Sequence, residues 1–211
     1  MNGRHAPATA RNREPILAVL LAELPATGTV LEIASGTGEH AVYFAPRLQP
    51  RRWLPSDVDP DALASIRAWQ AEQPARNLLP PILLDAREDR WPFESASSNP
   101  GIAAIVSINM IHIAPWSASL GLLAGAARLL PDEAPLILYG PFKRQGRDTS
   151  DSNAAFDESL RSRNPAWGVR NLDTLEQEAR KRGLETRHVI EMPANNLTVV
   201  FRKRPDGKPG G

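Results

Sequence analysis

The sequence predicts a three-layer α/β sandwich whose seven-stranded sheet is mostly parallel and ends in a C-terminal antiparallel strand pair. Two observations lead to this prediction. Short apolar segments rich in β-formers alternate with segments of helical periodicity, which is typical of β–α units in a parallel sheet. The last two apolar segments follow each other with no helix between them, so they should pair as antiparallel neighbours.

Seven segments are predicted as strands, most of them short apolar runs with turn-forming residues at their ends. They are Thr29–Ile33, Arg52–Ser56, Pro81–Leu84, Ile102–Ile108, Leu136–Tyr139, Leu184–Glu191 and Leu197–Lys203. The fourth segment is apolar on both faces, which favours the centre of a parallel sheet.

Three helices are predicted in the first half of the chain. The first is amphipathic, with Pro15 at its first position ahead of the apolar run 16–22. The second follows the glycines of residues 36–38, and Pro46 should shorten or kink it. The third has Asp59 as its N-cap and Pro60 at its first position.

Three more helices are predicted in the second half. The spacing of its apolar residues places one side of the fourth helix inward, namely Leu120, Leu123, Ala127 and Leu130. The fifth covers residues 150–163. The sixth opens with a capping box formed by Asp173 and Glu176 and ends before Gly183.

Length and composition indicate an ordinary globular protein. The 211 residues predict a single domain over residues 1–203, followed by a flexible tail over residues 204–211. A net charge of +1 gives no field that favours nucleic acid or a membrane surface. The absence of Cys excludes disulfides and thiol nucleophiles, and no apolar run reaches the ~18 residues of a membrane span. We therefore expect a cytoplasmic protein with no membrane or nucleic-acid partner.

The most informative motif is the loop that follows the first strand. Gly36 and Gly38 let backbone approach a ligand at a helix N-terminus, where a negative group is favoured. With Ala41 they also satisfy the relaxed dinucleotide-binding pattern, so the glycines alone are weak evidence. Glu32 separates the alternatives, because a carboxylate at this strand end suits a cationic amine or sulfonium better than a pyrophosphate.

Two further carboxylates follow the next two strands. Asp57 ends the second strand, where a carboxylate can accept two hydrogen bonds from a ribose diol. Asp85 ends the third strand, and both should reach the edge of the sheet where open α/β folds bind ligands. The alternative reading is that Asp57 helps Asp59 to cap the next helix and that Asp85 is a plain turn residue.

This set of residues resembles motifs one to three of the class I S-adenosylmethionine (SAM) dependent methyltransferases, which have a Rossmann-like fold. More narrowly, the chain resembles a methyltransferase-like family with no assigned substrate. Seven stretches carry that resemblance, and together they span residues 11–203: Arg11–Pro15, Leu31–His40, Pro55–Asp59, Ser107–Trp116, Tyr139–Phe142, Ser152–Asp157 and Met192–Asn196. One departure is Leu130–Glu133, which stands where a Gly-Gly turn is common.

The resemblance implies SAM as the cofactor, with S-adenosylhomocysteine (SAH) as its product. It implies Gly36 and Gly38 under the methionine part, and Asp57 on the ribose hydroxyls. The adenine amine would meet Asp85, with Ala86 alongside. Asn109 would face the methionine amine. The cofactor-binding residues expected in all are Glu32, Ser35, Gly36, Gly38, Asp57, Asp85, Ala86 and Asn109.

His112 is the candidate catalytic residue, because it follows the fourth strand by one turn and a His near its reference pKa can act as a base. A lone His in an apolar segment is more often packed and hydrogen-bonded. Trp116, Tyr139, Phe142 and Asn195 are candidates for an acceptor pocket, with core packing and turn formation as the alternatives. No metal is expected, because the four His residues are scattered.

The leading functional hypothesis is methyl transfer from SAM to an unidentified small-molecule acceptor. A SAM-binding protein without catalysis is a second hypothesis, because its cofactor motifs would be identical. An NAD(P)-dependent oxidoreductase is a third, supported only by the relaxed glycine pattern and weakened by Glu32.

Overall fold

Six helices and nine strands are assigned in the computed structural model, which describes residues 3–5, 7–94 and 100–205. In chain order they are α1 (Pro7–Glu23), β1 (Thr29–Ile33), α2 (Glu39–Arg47), β2 (Arg52–Asp57), α3 (Pro60–Glu72), β3 (Ile82–Leu83), β4 (Ile102–Ile108), α4 (Trp116–Leu129), β5 (Pro135–Gly140), β6 (Phe142–Lys143), α5 (Asp151–Arg163), β7 (Arg170–Asn171), α6 (Leu172–Lys181), β8 (Leu184–Met192) and β9 (Asn196–Lys203). Short 3₁₀ turns occupy Met110–His112 and Pro193–Asn195.

The strand order confirms the predicted fold class. Seven strands form a mixed sheet in the order β3-β2-β1-β4-β5-β9-β8. β1 pairs in parallel with β2 and β4, and β2 pairs in parallel with β3. β9 is antiparallel to both β5 and β8, as predicted for segments with no helix between them. β6 and β7 pair in parallel as a separate two-stranded sheet that the sequence analysis did not predict.

The chain divides into two units by its internal contacts. The first comprises the residues up to 85 and residues 90–107, and the second comprises residues 86–89 and the residues from 108 onward. In the first, all five residues of β1 are buried, and the largest core side chains include Phe44, Trp53 and Ile66. In the second, the core includes Leu122 and Phe201. Each unit therefore buries apolar surface of its own.

The first helix begins earlier than predicted. α1 starts at Pro7, so Pro15 lies inside the helix and the prediction that it is the first residue is wrong. A proline inside a helix lacks one backbone donor, but the rest of the helix retains its bonds. Thr9, Asn12, Ile16, Leu20 and Glu23 are buried at helical spacing, but three of them are polar and Leu21 is exposed, so the prediction of an amphipathic helix is wrong.

Two predictions about helices in the second unit need correction. The buried face of α4 includes Leu122, Leu123 and Ala126, whereas Leu120 and Ala127 are partly exposed. Leu and Ala occupy most positions of α4, so spacing alone does not define its inner face. α6 begins after Asn171, and the carboxylate of Asp173 accepts from Gln145 N (2.7 Å) instead of capping the helix.

Other predicted bounds agree within one or two residues. Asp59 caps α3 by accepting from Asp61 N (2.9 Å), and Pro60 is the first helical residue. β1 and β4 match their predicted bounds, whereas β3 is two residues shorter than its predicted segment. No helix in the described part of the chain is long and apolar enough to cross a membrane. Of the predicted tail, residues 206–211 lie outside the described residues, whereas Arg204 N donates to Gly183 O (2.8 Å).

Candidate functional site

The loop between β1 and α2 has an unusual backbone. Ala34, Gly36 and Gly38 all have positive φ angles, of 58°, 57° and 90°. A Cβ on Gly38 would lie 2.9 Å from Ile66 Cα, so the loop passes too close to α3 for any side chain there. A Cβ on Gly36 would meet no atom within 4 Å. The loop is therefore packed tightly at one glycine and borders open space at the other.

Asp57 holds this loop through both of its carboxylate oxygens. Oδ2 accepts from Gly36 N (2.8 Å), and Oδ1 accepts from Asp59 N (2.9 Å). The second bond is the helix-cap role that the sequence analysis weighed as an alternative. Each carboxylate oxygen has two acceptor positions, so one remains on each oxygen. Asp57 is 7 % exposed, so it fixes the loop from a mostly buried position and keeps one unused acceptor position on each oxygen.

Ser35 contacts the end of β2. Its backbone N donates to Ser56 O (2.8 Å), and its hydroxyl accepts from Ser56 N (3.2 Å). Ser56 Oγ in turn donates to Glu32 O (2.7 Å). Ser35 is buried, so its role in the structure is to join the strand ends.

Glu32 lies deeper than the sequence analysis expected. It is 1 % exposed, and its Oε2 accepts from the indole Nε1 of Trp53 (2.9 Å). Burial raises the pKa of its carboxyl to about 7, even though the hydrogen bond from Trp53 acts in the opposite direction. A direct bond to a ligand amine requires an exposed carboxylate oxygen. The structure instead gives Glu32 a buried partner.

Two exposed apolar side chains flank Asp57, and the sequence analysis did not identify them. Val58 follows Asp57 directly and is 54 % exposed. Leu83 on β3 pairs in register with Asp57 and is 58 % exposed. The sequence does indicate Val58, because an apolar residue between Asp57 and Asp59 is unusual in a turn, where most residues are polar. Asp85 follows Leu83 by two residues and is partly exposed.

The N-terminal segment also contacts the glycine loop, which the sequence analysis did not predict. Ser65 Oγ donates to Thr37 O (2.8 Å) and accepts from Arg4 N (2.8 Å). Asn12 Oδ1 on α1 lies 2.9 Å from the ring Nε2 of His40. Burial lowers the pKa of His40 to about 4, so the ring is neutral and donates to Asn12 at neutral pH.

In the second unit, Asn109 ends β4 with a positive φ of 63°, a conformation that Asn tolerates better than most residues. Its N–H donates to Tyr139 O (2.8 Å). Ala86 is buried, and its carbonyl lies where a Cβ on Gly121 of α4 would clash. Gly121 therefore permits the close approach of α4 to this backbone.

His112 is fully buried in the second unit, at 0 % exposure. Its ring contacts Phe142 edge to face (centroids 5.2 Å apart), and the missing side chain of Gly140 leaves room for it. Among the described residues, neither ring nitrogen has a hydrogen-bond partner. Burial, with a smaller contribution from the charge of Arg170, lowers the pKa of His112 to about 3. The ring is therefore neutral at physiological pH and a weak base.

The residues predicted to line an acceptor pocket have different environments. Trp116 is partly exposed and lines a cavity in the second unit. Tyr139 and Phe142 are 4 % and 0 % exposed, so they belong to the core. Asn195 is exposed, and its carbonyl accepts from Asn153 Nδ2 (3.0 Å), which links the β8–β9 turn to α5.

No group of three or more His, Asp or Glu residues in the described ranges is arranged to hold a metal ion.

Solved structures of methyltransferases share this fold. An O-methyltransferase family protein from Burkholderia thailandensis superposes with a TM-score of 0.77 at 16 % identity, over 95 % of this chain and 58 % of that one. An O-methyltransferase family 2 protein from Planctomyces limnophilus in complex with apigenin gives 0.75 at 18 %, over 93 % and 58 %. CalO1, a methyltransferase in calicheamicin biosynthesis in its SAH-bound form, gives 0.70 at 17 %, over 90 % and 53 %.

The chain spans between 53 % and 58 % of the length of these three proteins. At such low identities, the likeness shows a shared fold. A family model described as "Protein of unknown function (DUF938)" matches residues 3–203, almost the whole sequence. The chain belongs to that family.

Proposed function

We propose that this chain binds SAM and transfers its methyl group to a small-molecule acceptor. The observation that carries the proposal is the hydrogen bond from Gly36 N to Asp57 Oδ2, because it sets a half-used carboxylate beside a glycine that borders open space. The shared fold with methyltransferases supports the same reading.

The surroundings of Asp57 fit an adenosine better than a pyrophosphate. Its remaining acceptor positions suit the two hydroxyls of a ribose. Val58 and Leu83 offer exposed apolar surface on which a purine can pack. These features suit the adenosine part of either SAM or a nicotinamide dinucleotide. The preference for SAM therefore rests on the fold shared with methyltransferases.

The remaining cofactor contacts follow the resemblance. Gly36 and Gly38 would lie under the methionine part, and Asp85 would accept from the adenine amine. By the same resemblance, Ala86 would lie beside the adenine and Asn109 would face the methionine amine. The bound cofactor supplies an electrophilic methyl group, and the protein residues bind and orient.

We assign Glu32 a supporting role within the proposal. Its bond to Trp53 and the bond from Ser56 to its carbonyl join β1 to β2 directly below the glycine loop. Glu32 would therefore position the loop rather than bind the ligand amine itself.

The proposal gives His112 no role as a catalytic base, because its ring is fully buried and its pKa is lowered to about 3. A neutral imidazole offers one N–H donor and one lone pair, and burial has made it a weak base. An acceptor that is nucleophilic without deprotonation is therefore favoured.

Isothermal titration calorimetry with SAM, SAH and NADH tests the cofactor assignment. We expect saturable heats with SAM and SAH and none with NADH. Binding of NADH alone would overturn the proposal and favour the oxidoreductase alternative.

A SAM-binding protein without catalysis is the second candidate, and the burial of His112, Tyr139 and Phe142 favours it. The two candidates differ in turnover. Purified protein supplied with SAM and a cell extract should accumulate SAH if methyl transfer occurs. A protein that binds SAM but forms no SAH above the extract alone is the second candidate.

A further inference from the structure

The second unit contains a cavity of about 320 Å³ that the cofactor residues do not line. Its walls come from the start of α4, β6 and the loop after it, α5, β7 and the first turn of α6. The lining residues that matter here are Trp116, Lys143, Arg161, Arg170, Asn171 and Thr174.

Three of those side chains are cationic, and no described residue lining the cavity is acidic. Asp157 is the main nearby counter-charge, and its oxygens already accept from Lys143 Nζ (2.8 Å), Arg161 Nε (3.1 Å) and Val169 N (2.7 Å). Lys143 also contacts Asp148 (3.3 Å). Asp157 and Asp148 thus compensate the charge of Lys143, and Asp157 also contacts Arg161 through Nε. The positive charge of Arg170 has no such carboxylate contact among the hydrogen bonds it makes.

The guanidinium groups retain donors for a ligand. Arg161 uses Nε on Asp157, and its two Nη atoms make no hydrogen bond to the described residues. Arg170 donates from Nε to Ile111 O (2.8 Å) and from Nη2 to the carbonyls of Ala114 (2.6 Å) and Ala166 (2.9 Å). These backbone bonds fix Arg170 in place, and its Nη1 has no partner in the described chain.

The electrostatics of Arg170 agree with an excess of positive charge. Burial lowers the pKa of its guanidinium, and repulsion from Arg161 contributes more than attraction to Asp157. An anion in the cavity would relieve this repulsion. A planar carboxylate or a phosphate also matches the fork of donors on a guanidinium.

Trp116 adds an aromatic wall. The guanidinium carbon of Arg170 lies 5.7 Å from the centre of its indole ring, so aromatic surface and cationic donors are adjacent. Asn171 and Thr174 contribute neutral polar groups to the same lining. Such a combination suits a small molecule with an acidic group on an aromatic or otherwise planar body.

We propose that this cavity binds a small organic anion, a carboxylate or a phosphate monoester, through Arg161 and Arg170. The proposed anion site depends only on the cavity and its charges, and it stands independently of the proposed function.

Calorimetric titration at low ionic strength tests the site with four probes: benzoate, phenyl phosphate, inorganic phosphate and benzyl alcohol. We expect saturable binding of benzoate or phenyl phosphate, and much weaker binding of the neutral alcohol. The comparison of benzoate with the two phosphates decides which acid group is preferred. Benzyl alcohol binding as tightly as the acids, or no saturable binding of any acid, would overturn the proposal.

Arg161→Gln should weaken binding of the preferred acid about tenfold, since it removes one charge-assisted contact. Arg161→Lys keeps the charge and should retain part of the affinity. Arg163→Gln is the matched control, because Arg163 lies on α5 but does not line the cavity. Equal affinity in Arg161→Gln and Arg163→Gln, with both proteins folded by circular dichroism, would contradict the assignment.

Titration with SAM keeps the two proposals separable. Arg161→Gln should bind SAM as the unmodified protein does, because Arg161 takes no part in the proposed cofactor contacts. Acid binding without any SAM binding would remove the proposed function and leave the anion site intact. SAM binding without acid binding would remove the anion site and leave the proposed function intact.

Discussion

The N–H of Gly36 donates to the carboxylate of Asp57 across 2.8 Å, which joins the glycine loop after β1 to the end of β2. The two residues are 21 positions apart in the chain. The second oxygen of the same carboxylate accepts from Asp59 N at the start of α3. One side chain therefore positions both the loop and a helix terminus, and any change at Asp57 should affect stability as well as ligand binding.

Replacing Asp57 with Ala should raise the SAM dissociation constant by about 10- to 100-fold. This corresponds to about 1.5–3 kcal/mol, the range for hydrogen bonds that involve a charged group. The melting temperature should also fall, because two backbone donors lose their acceptor. Calorimetry with SAM and thermal unfolding by circular dichroism measure the two effects.

Asp61→Asn is the matched control for charge, because Asp61 is an exposed carboxylate in the first turn of α3. It should leave the SAM affinity unchanged. An Asp57→Ala protein that binds SAM with the original dissociation constant would show that the ribose does not lie at this carboxylate.

Substitutions at the two glycines of the loop should have different consequences. Gly36→Ala places a methyl group in open space at φ 57°, so it should cost about 1–2 kcal/mol of backbone strain and obstruct SAM. Gly38→Ala brings a Cβ within 2.9 Å of Ile66, so it should reduce the melting temperature more. Thermal unfolding and SAM titration of both variants would separate packing from ligand contact.

Gly183→Ala provides the control for strain. Gly183 has a φ of 77° and open space around its ideal Cβ, but it lies beyond α6. Its destabilisation should resemble that of Gly36→Ala, while its SAM affinity should not change. If Gly36→Ala also leaves SAM binding intact, the open space beside Gly36 is not where the cofactor lies.

Much of the fold is readable from the sequence where local and tertiary preferences agree. β1 and β4 match their predicted bounds because each is rich in β-forming residues and is bounded by turn-forming residues. β6 and β7 were missed because a two-residue pairing of Phe142 with Arg170 depends on contacts between distant segments. The start of α1 was predicted wrongly because Pro is common at the first position of a helix, whereas Pro15 lies in the interior of α1.

For the candidate site, the sequence identified residue types better than their environments. Gly36, Gly38 and Asp57 are indicated by spacing along consecutive β–α units. The bond between Glu32 and Trp53 was not predictable, because it depends on the register that sets Glu32 beside Pro55 on β2. Periodicity likewise cannot show that His112 is buried without a partner.

The raised pKa of Glu32 predicts that stability falls as the pH rises. An unfolded Glu titrates near 4.5 and the buried group near 7, so the folded state binds the proton more tightly. Its contribution is complete below pH 4.5 and is lost towards pH 7, with a slope of about 1.4 kcal/mol per pH unit. Urea unfolding between pH 4.5 and 8 would measure it.

Glu32→Gln should flatten that slope, because the amide oxygen can still accept from Trp53 but carries no titrating proton. Glu72→Gln is the control, because Glu72 is an exposed carboxyl at the end of α3 in the same unit. The same decline in Glu32→Gln as in the unmodified protein would assign the pH dependence to other groups.

The buried histidines predict a loss of stability in acid, opposite in sign to the effect of Glu32. The folded-state pKa is lowered to about 3 for His112 and about 4 for His40, both mainly by burial. Protonation is easier in the unfolded chain, near 6.5, so stability is complete above that pH. Each residue should then remove about 1.4 kcal/mol per pH unit as the pH falls towards its folded-state value.

His112→Leu should remove the uptake of one proton on unfolding, and so reduce the slope of the unfolding free energy against pH below pH 6.5. His40→Gln should reduce the slope in the same way while keeping a donor for Asn12. Phe142→Leu is the control for packing, since Phe142 contacts the His112 ring but does not titrate. It should lower stability at every pH without altering the slope. Urea unfolding from pH 4 to 7 measures all four proteins. If His112→Leu keeps the slope of the unmodified protein, then the folded-state pKa of His112 is not lowered, and the reason for excluding His112 as a base is lost with it.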